Sequence, residues 1–223
     1  MVVLEHLHAA ELPRIYSSAP FGGVVKRALD VLIAPAALIV LAPVMLAVAL
    51  AVKVQDGGPV LFVQRRVGHC GAEFKFLKYR TMVPNGAAVL ERLIQEDPEI
   101  AREWREKQKL SRDPRVTLIG GFLRRSSLDE LPQFVNVLLG DMSIVGPRPM
   151  LREQVEVYGP AFERYCRARP GITGLWQVSG RNETSFSRRS DLDQAYLQAW
   201  SMRRDLLLIL RTFGAVFRQR GAC

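Results

Sequence analysis

The sequence predicts a mostly helical α+β protein attached to a membrane through an N-terminal apolar helix. Three observations carry that prediction. Residues 31–52 read VLIAPAALIVLAPVMLAVALAV without a single charge, and ~20 such residues in a helix match the ~30 Å hydrocarbon core of a bilayer. Val60–Val67 and Phe74–Tyr79 are β-rich runs separated by Gly68, Gly71 and polar residues, the pattern of a small hairpin. Further on, apolar residues recur at helical spacing, as amphipathic helices at a membrane interface would have them.

The bulk composition narrows the partners. A chain of 223 residues suits one domain better than two. Lys and Arg number 31 against 22 Asp and Glu, a net charge of +9, which favours polyanions: nucleic acid, anionic head groups or phosphorylated substrates. Cys70, Cys166 and Cys223 are odd in number and widely spaced. They form neither a metal motif nor a disulfide framework, which fits free thiols on a reducing cytosolic face.

Taken in order, residues 1–23 are a tail with no usable period, and 24–54 hold the membrane helix. That helix is flanked by Lys26, Arg27 and Asp30 on one side and by Lys53 and Asp56 on the other. It begins too late and runs too long for a signal peptide, and a buried soluble helix rarely needs apolar residues on every face. Pro35 and Pro43 each remove an intrahelical bond, and cations on both flanks leave the orientation unassigned. At this point a spanning helix and a re-entrant helix that bends at proline and leaves by the same face both stand.

Residues 55–223 form a body continuous with that segment. After the hairpin, Ala87–Lys109 reads as a charged helix interrupted at Asp97-Pro98, and Gly120-Gly121 punctuates. Leu131, Phe134, Val135, Leu138 and Leu139 recur at i, i+3, i+4, i+7 and i+8, and Gly140 ends that amphipathic helix. Pro- and Gly-rich loops follow at 146–149 and 169–171. A last helical tract starts near Asp191 and runs through Leu206, Ile209, Leu210, Phe213, Val216 and Phe217, with Arg203, Arg204, Arg211, Arg218 and Arg220 on its other positions. It suits a membrane surface or an ordinary core-facing helix with a basic outer face.

The richest chemistry lies in Arg124-Arg-Ser-Ser-Leu-Asp-Glu-Leu-Pro-Gln133. Ser127 and Glu130 have capping-box spacing, and acids suit a first helical turn. Pro132 would then fall inside the helix, where it costs a hydrogen bond; it is more comfortable at the helix start. Asp129 and Glu130 would in that case sit on the turn before the helix. Adjacent carboxylates can hold Mg²⁺ together with substrate phosphates, and one can attack phosphorus as aspartyl-phosphate enzymes do. Arg124 and Arg125 would steady pyrophosphate charge.

Several other residues are candidates for anion binding. Lys78 and Arg80 share a strand face, unless they are merely solvated strand-end charges. Arg148 is fixed between Pro147 and Pro149. Trp176 and Arg181 could stack on a base and clamp phosphate, although core packing would equally explain Trp176. Asp193 could simply cap the last helix. With only His6, His8 and His69 available, and no P-loop or nucleophile elbow, the chemistry falls to carboxylates and cations.

Together, Lys78-Tyr-Arg-Thr-Met, Asp113-Pro-Arg-Val-Thr, Ser127-Leu-Asp-Glu-Leu-Pro-Gln, Gly140-Asp-Met-Ser-Ile-Val-Gly-Pro-Arg-Pro and Pro170-Gly-Ile-Thr-Gly-Leu-Trp-Gln-Val-Ser-Gly-Arg-Asn resemble the bacterial sugar transferase family. These are the monotopic phosphoglycosyl transferases that prime exopolysaccharide and glycoconjugate assembly, and the likeness covers roughly Val24 to Arg220. It implies transfer of hexose-1-phosphate from a UDP-hexose to polyprenyl phosphate, with release of UMP and a ping-pong course through a phospho-sugar on Asp129. It further implies assistance from Glu130, Mg²⁺ at the acidic pair with Asp129 as its ligand, and binding roles for Lys78, Arg124, Arg148, Arg181 and Asp193. The apolar segment resembles the family's re-entrant helix broken at a proline, here Pro35, so that body and N-terminus share the cytoplasmic face of a bacterial inner membrane. Where relatives often have Ser before that proline, this chain has Ala34, so another group must satisfy any carbonyl the bend frees.

Two readings compete. A membrane-tethered protein that binds nucleotide-sugars without turnover fits the basicity. Nucleic acid does not fit, because aromatics are not interleaved with the charges as in single-strand binders. A phosphohydrolase could use the same aspartyl intermediate with water as the acceptor.

Overall fold

The computed structural model describes residues 19–107, 110–179 and 186–217. Helix α1 (Gly23–Asp56) is followed by strands β1 (Leu61–Val67) and β2 (Glu73–Tyr79), which pair antiparallel from Leu61↔Tyr79 to Val67↔Glu73. Helices α2 (Gly86–Glu96), α3 (Pro98–Lys107), α4 (Leu118–Ser126) and α5 (Gln133–Leu139) come next. Then β3 (Ser143–Val145), α6 (Val155–Tyr158), α7 (Ala161–Cys166) and β4 (Gly171–Thr173) lead to α8 (Leu175–Val178), α9 (Phe186–Gln198) and α10 (Met202–Phe217).

The hairpin and the α2/α3 interruption follow the expected pattern. Pro98 starts α3 where its missing amide hydrogen costs nothing, and Asp97 Oδ1 accepts from the backbone N–H of Glu99 at 2.8 Å. Gly140, at φ 94°, closes α5 in the left-handed region that suits glycine.

Three features depart from the sequence reading. Gly120 and Gly121 lie inside α4 rather than between elements, and Thr117 caps that helix by accepting from the Gly120 N–H at 2.9 Å. Glycine is required at 120 for contact: a Cβ there would lie 2.0 Å from the Thr81 carbonyl oxygen. The segments around Gly146 and Gly171 are not only loops, since β3 and β4 beside them pair in parallel. The expected single C-terminal tract is two helices, α9 and α10. Residues around Trp200 turn so that Tyr196, Trp200 and Lys26 all reach Asp205.

Ala34, Val137, Met142, Ile144, Val145, Tyr196, Leu197 and Leu208 make the main core, and a second cluster joins Val48 and Val52 to Tyr79 and Leu123. Both halves of α1 therefore dock on the same body. The N-terminal half is fixed by polar bonds as well: Arg27 donates to the carbonyls of Val137 and Leu138, and Asp30 accepts from Ser143 and Ile144. At the other end Arg80 pairs with Asp56. Between these anchors Ile39 and Val40 are each 74% exposed, an apolar surface of the kind that marks a membrane or partner contact. The helix is long and apolar enough to cross a membrane.

The expected break at Pro35 does not appear as an interruption. Residues stay helical through Pro35 and Pro43, because proline loses one bond while its own φ remains helical. Ala34 is fully buried against the core. A serine there would need a partner for its hydroxyl in apolar surroundings.

Candidate active site

Asp129 and Glu130 occupy a single 3-10 turn, Leu128–Glu130, between α4 and α5. Ser127, at φ 57°, reverses the chain at the end of α4 without capping through its side chain. The capping box is therefore not built, and Pro132 stands at the threshold of α5 with the acids on the turn before it. Asp129 is buried, only 7% exposed.

Cations surround the pair. Lys78 comes from the end of β2, its ammonium 5.4 Å from the Phe62 ring centroid. Burial lowers its pKa, and the nearby Asp129 charge works against that fall. Arg124 comes from the last turn of α4, where its Nε donates to Thr81 Oγ1 at 2.9 Å. Arg148, from the loop after β3, brings Nη2 to 3.4 Å from Glu130 Oε1 and stacks its guanidinium 5.4 Å from the Trp176 centroid. Burial, and then the neighbouring Glu130 charge, push the Asp129 carboxyl up to about 6; Lys78, Arg124 and Arg148 oppose the rise.

The structure thus gathers Lys78, Arg124, Asp129, Glu130, Arg148 and Trp176. Asp193 lies one layer behind. It is 1% exposed, in the middle of α9 rather than at its cap, and accepts from Tyr158 OH at 2.7 Å. Arg80 goes elsewhere. β2 ends at Tyr79, and the Arg80 guanidinium turns to Asp56 and donates through Nε to the Pro59 carbonyl at 2.6 Å. Its position ties α1 to the body and keeps it out of the anion cluster. Arg181 lies outside the described residues.

Two further arginines border the site. Arg189, buried, places its guanidinium 5.5 Å from Trp176 and 5.9 Å from Tyr158. Arg66 lies on the same hairpin face as Lys78, since Phe62↔Lys78 and Arg66↔Phe74 are cross-strand pairs. Period-two reading of the hairpin contained that signal. Arg189 carried a fainter one, standing four residues before Asp193 in a helix.

Among the described residues there is no group of three or more His, Cys, Asp or Glu side chains placed to hold a metal. Two adjacent carboxylates still fit Mg²⁺, which usually completes its shell with substrate phosphates and water.

The comparisons agree with the geometry. The bacterial sugar transferase family profile matches residues 21–219. The exopolysaccharide production protein ExoY of Sinorhizobium fredii is 50% identical over 203 residues, which cover 91% of this chain and 90% of that protein. The UDP-glucose:undecaprenyl-phosphate glucose-1-phosphate transferase of Caulobacter vibrioides is 42% identical, covering 84% of this chain and 67% of its own. The undecaprenyl-phosphate galactose phosphotransferase of Salmonella typhimurium is also 42% identical, over 88% of this chain and 41% of its length. A profile match across almost the whole chain, on a fold whose acid pair is ringed by cations, has one meaning: the chain belongs to the bacterial sugar transferase family.

Proposed function

We propose that this enzyme transfers hexose-1-phosphate from a UDP-hexose to polyprenyl phosphate, as the priming step of exopolysaccharide or glycoconjugate synthesis. The observation that carries the reading is the buried Asp129–Glu130 pair between Lys78, Arg124 and Arg148. Burial and the adjacent Glu130 charge hold the Asp129 pKa above the ordinary carboxylate value, which makes its carboxylate a stronger base and nucleophile than a solvated one.

One Asp129 carboxylate oxygen attacks the sugar-linked phosphorus. The bond from that phosphorus to the UMP oxygen breaks, and UMP leaves with the electron pair. An oxygen of polyprenyl phosphate then attacks the same phosphorus, the bond to Asp129 breaks, and the carboxylate is regenerated. Lys78, Arg124 and Arg148 bind and orient the phosphates and stabilise charge building on their oxygens. Asp129, with Glu130 beside it, would hold Mg²⁺, which supplies further charge neutralisation at the pyrophosphate.

Topology supports the same scheme. Both halves of α1 pack on one body, whereas a spanning helix would carry one end ~30 Å away across the bilayer. We infer a re-entrant α1 in the bacterial cytoplasmic membrane, with the active site on the cytoplasmic face among membrane lipids. The test is UMP release from UDP-sugars in detergent with Mg²⁺, with and without undecaprenyl phosphate. Lipid-free UMP release and a phospho-sugar adduct on Asp129 are expected, and Asp129→Asn should lose more than nine-tenths of the rate, at least about 1.4 kcal/mol of barrier. UMP release that strictly requires lipid, with no adduct, would refute the covalent route.

A further inference from the structure

Behind the acid pair, three guanidinium groups gather on two residues of backbone. Arg66 Nη1 donates to the Pro149 carbonyl at 3.3 Å, and Arg189 Nη2 donates to the Arg148 carbonyl at 2.8 Å. Arg148 itself is the third, and Arg148 and Arg189 both stack on Trp176. Arg66 also lies 5.4 Å from the Phe76 centroid. Its Nε is buried with no hydrogen-bond partner among the described residues.

Like charges held this closely repel. Burial together with the Arg148 and Arg189 charges lowers the Arg66 pKa to about 10. The acids within reach do not relieve the crowding evenly. Glu130 is shared with the front of the site, Asp193 sits 3.9 Å from Arg189 Nε, and Glu153 acts on Arg66 only through the field. Such a cluster is stable in a folded protein when an anion visits it, and planar guanidinium forks match phosphate oxygens.

We propose that Arg66, Arg148 and Arg189 form a phosphate-binding cradle behind the acid pair, separate from the Lys78–Arg124 side and joined to it through Arg148. It rests on the function proposed above, since its occupant is a phosphate group of either the nucleotide-sugar donor or the lipid acceptor. Proline on each side of Arg148 keeps this hinge between the two anion positions rigid.

The first experiment titrates inorganic phosphate against the full-length protein in detergent at constant ionic strength, following its thermal unfolding midpoint. Arg66→Gln should weaken phosphate binding about tenfold, the scale of one charge-assisted contact, while Arg66→Lys restores most of it. Equal phosphate affinity in wild type and Arg66→Gln overturns the cradle. Should Arg66→Gln not fold, phenylglyoxal modification of wild-type Arg66, read by peptide mass spectrometry, replaces it. Phosphate at four times its Kd should slow modification about fivefold, and an unchanged rate overturns the proposal.

The source of the phosphate is read from the two half-reactions. A rise in KM for UDP-sugar in lipid-free UMP release assigns the cradle to the donor, and a rise in the lipid requirement alone assigns it to the acceptor. If wild type releases no UMP from any UDP-sugar, the proposed function fails, yet the phosphate titration still decides the cradle.

Discussion

Asp205 is the strongest test of how α1 is fastened to the body. It is fully buried, and three donors converge on it: Lys26 Nζ of α1, Tyr196 OH of α9 at 2.7 Å and, from the link between α9 and α10, Trp200 Nε1 at 3.1 Å. Lys26 is itself only 6% exposed, and its other contact is Tyr196 OH at 3.2 Å. Asp205→Asn keeps the volume, but it removes the counter-charge and turns one acceptor into a donor facing donors. Breaking one side of a buried pair costs about 3–5 kcal/mol, which for one domain of this size is ~6–20 °C in Tm at ~2–4 °C per kcal/mol.

The assay is thermal unfolding in detergent, followed by tryptophan fluorescence, to which Trp200 contributes with Trp104 and Trp176. A second variant separates charge from packing. Lys26→Met/Asp205→Leu removes both charges and should recover most of the loss, since apolar replacement of a buried pair is often neutral. An Asp205→Asn penalty under about 1 kcal/mol would refute the reasoning, because a buried Lys26 without its counter-ion cannot be that cheap.

Three further outcomes follow from the same geometry. Burial raises the folded-state pKa of Asp193 to about 6 from an ordinary 3.8. The stability this carboxyl contributes is therefore present below pH 4 and lost as pH rises through 6. Thermal unfolding of wild type and Asp193→Asn should show the gap moving towards the variant by about 2 kcal/mol between pH 4 and pH 7, and a pH-independent gap contradicts the burial. Gly120→Ala puts a Cβ 2.0 Å from the Thr81 carbonyl oxygen. It should cost about 1–3 kcal/mol of stability, and a loss below about 0.5 kcal/mol in chemical unfolding would mean the α4 contact is loose. With Cys70, Cys166 and Cys223 replaced, a cysteine at Glu5 should stay unlabelled by an impermeant reagent in intact cells, and labelling would make α1 a spanning helix.

The elements that could be read from sequence are those with a long period or a strong terminator: the apolar run of α1, the hairpin, the Asp97-Pro98 break and the Gly140 stop. The acid-bearing turn was legible through Pro132, whose missing amide hydrogen moves the start of α5 past Asp129 and Glu130. β3 and β4 were not legible. Three residues hold too little alternation, and their pairing brings Gly146 and Gly171 so close that a Cβ on Gly171 would lie 2.1 Å from the Gly146 nitrogen. Arg80 misled because strand periodicity was extended one residue too far. β2 ends at Tyr79, and beyond a strand end the alternation that would pair Arg80 with Lys78 no longer holds. Arg66 and Arg189 were hidden for a different reason: only tertiary packing onto the Arg148-Pro149 backbone gives either of them a place near the acids.

The four residues from Lys78 to Thr81 connect α1 to the site. Lys78 faces the acid pair, and its neighbour Tyr79 donates its hydroxyl at 2.9 Å to the Met45 carbonyl, within the apolar stretch of α1. Arg80 returns to α1 and holds Asp56 at its C-terminal end, while Thr81 returns to the site and accepts from Arg124. The outer two residues of this segment thus serve the site and the inner two serve α1, because the strand alternation stops at Tyr79. A shift of α1 along its axis would pull on Tyr79 and Arg80, and the same backbone would carry Lys78 and Thr81 with it, so the position of α1 is tied to Lys78 and, through Thr81, to Arg124 by one short segment.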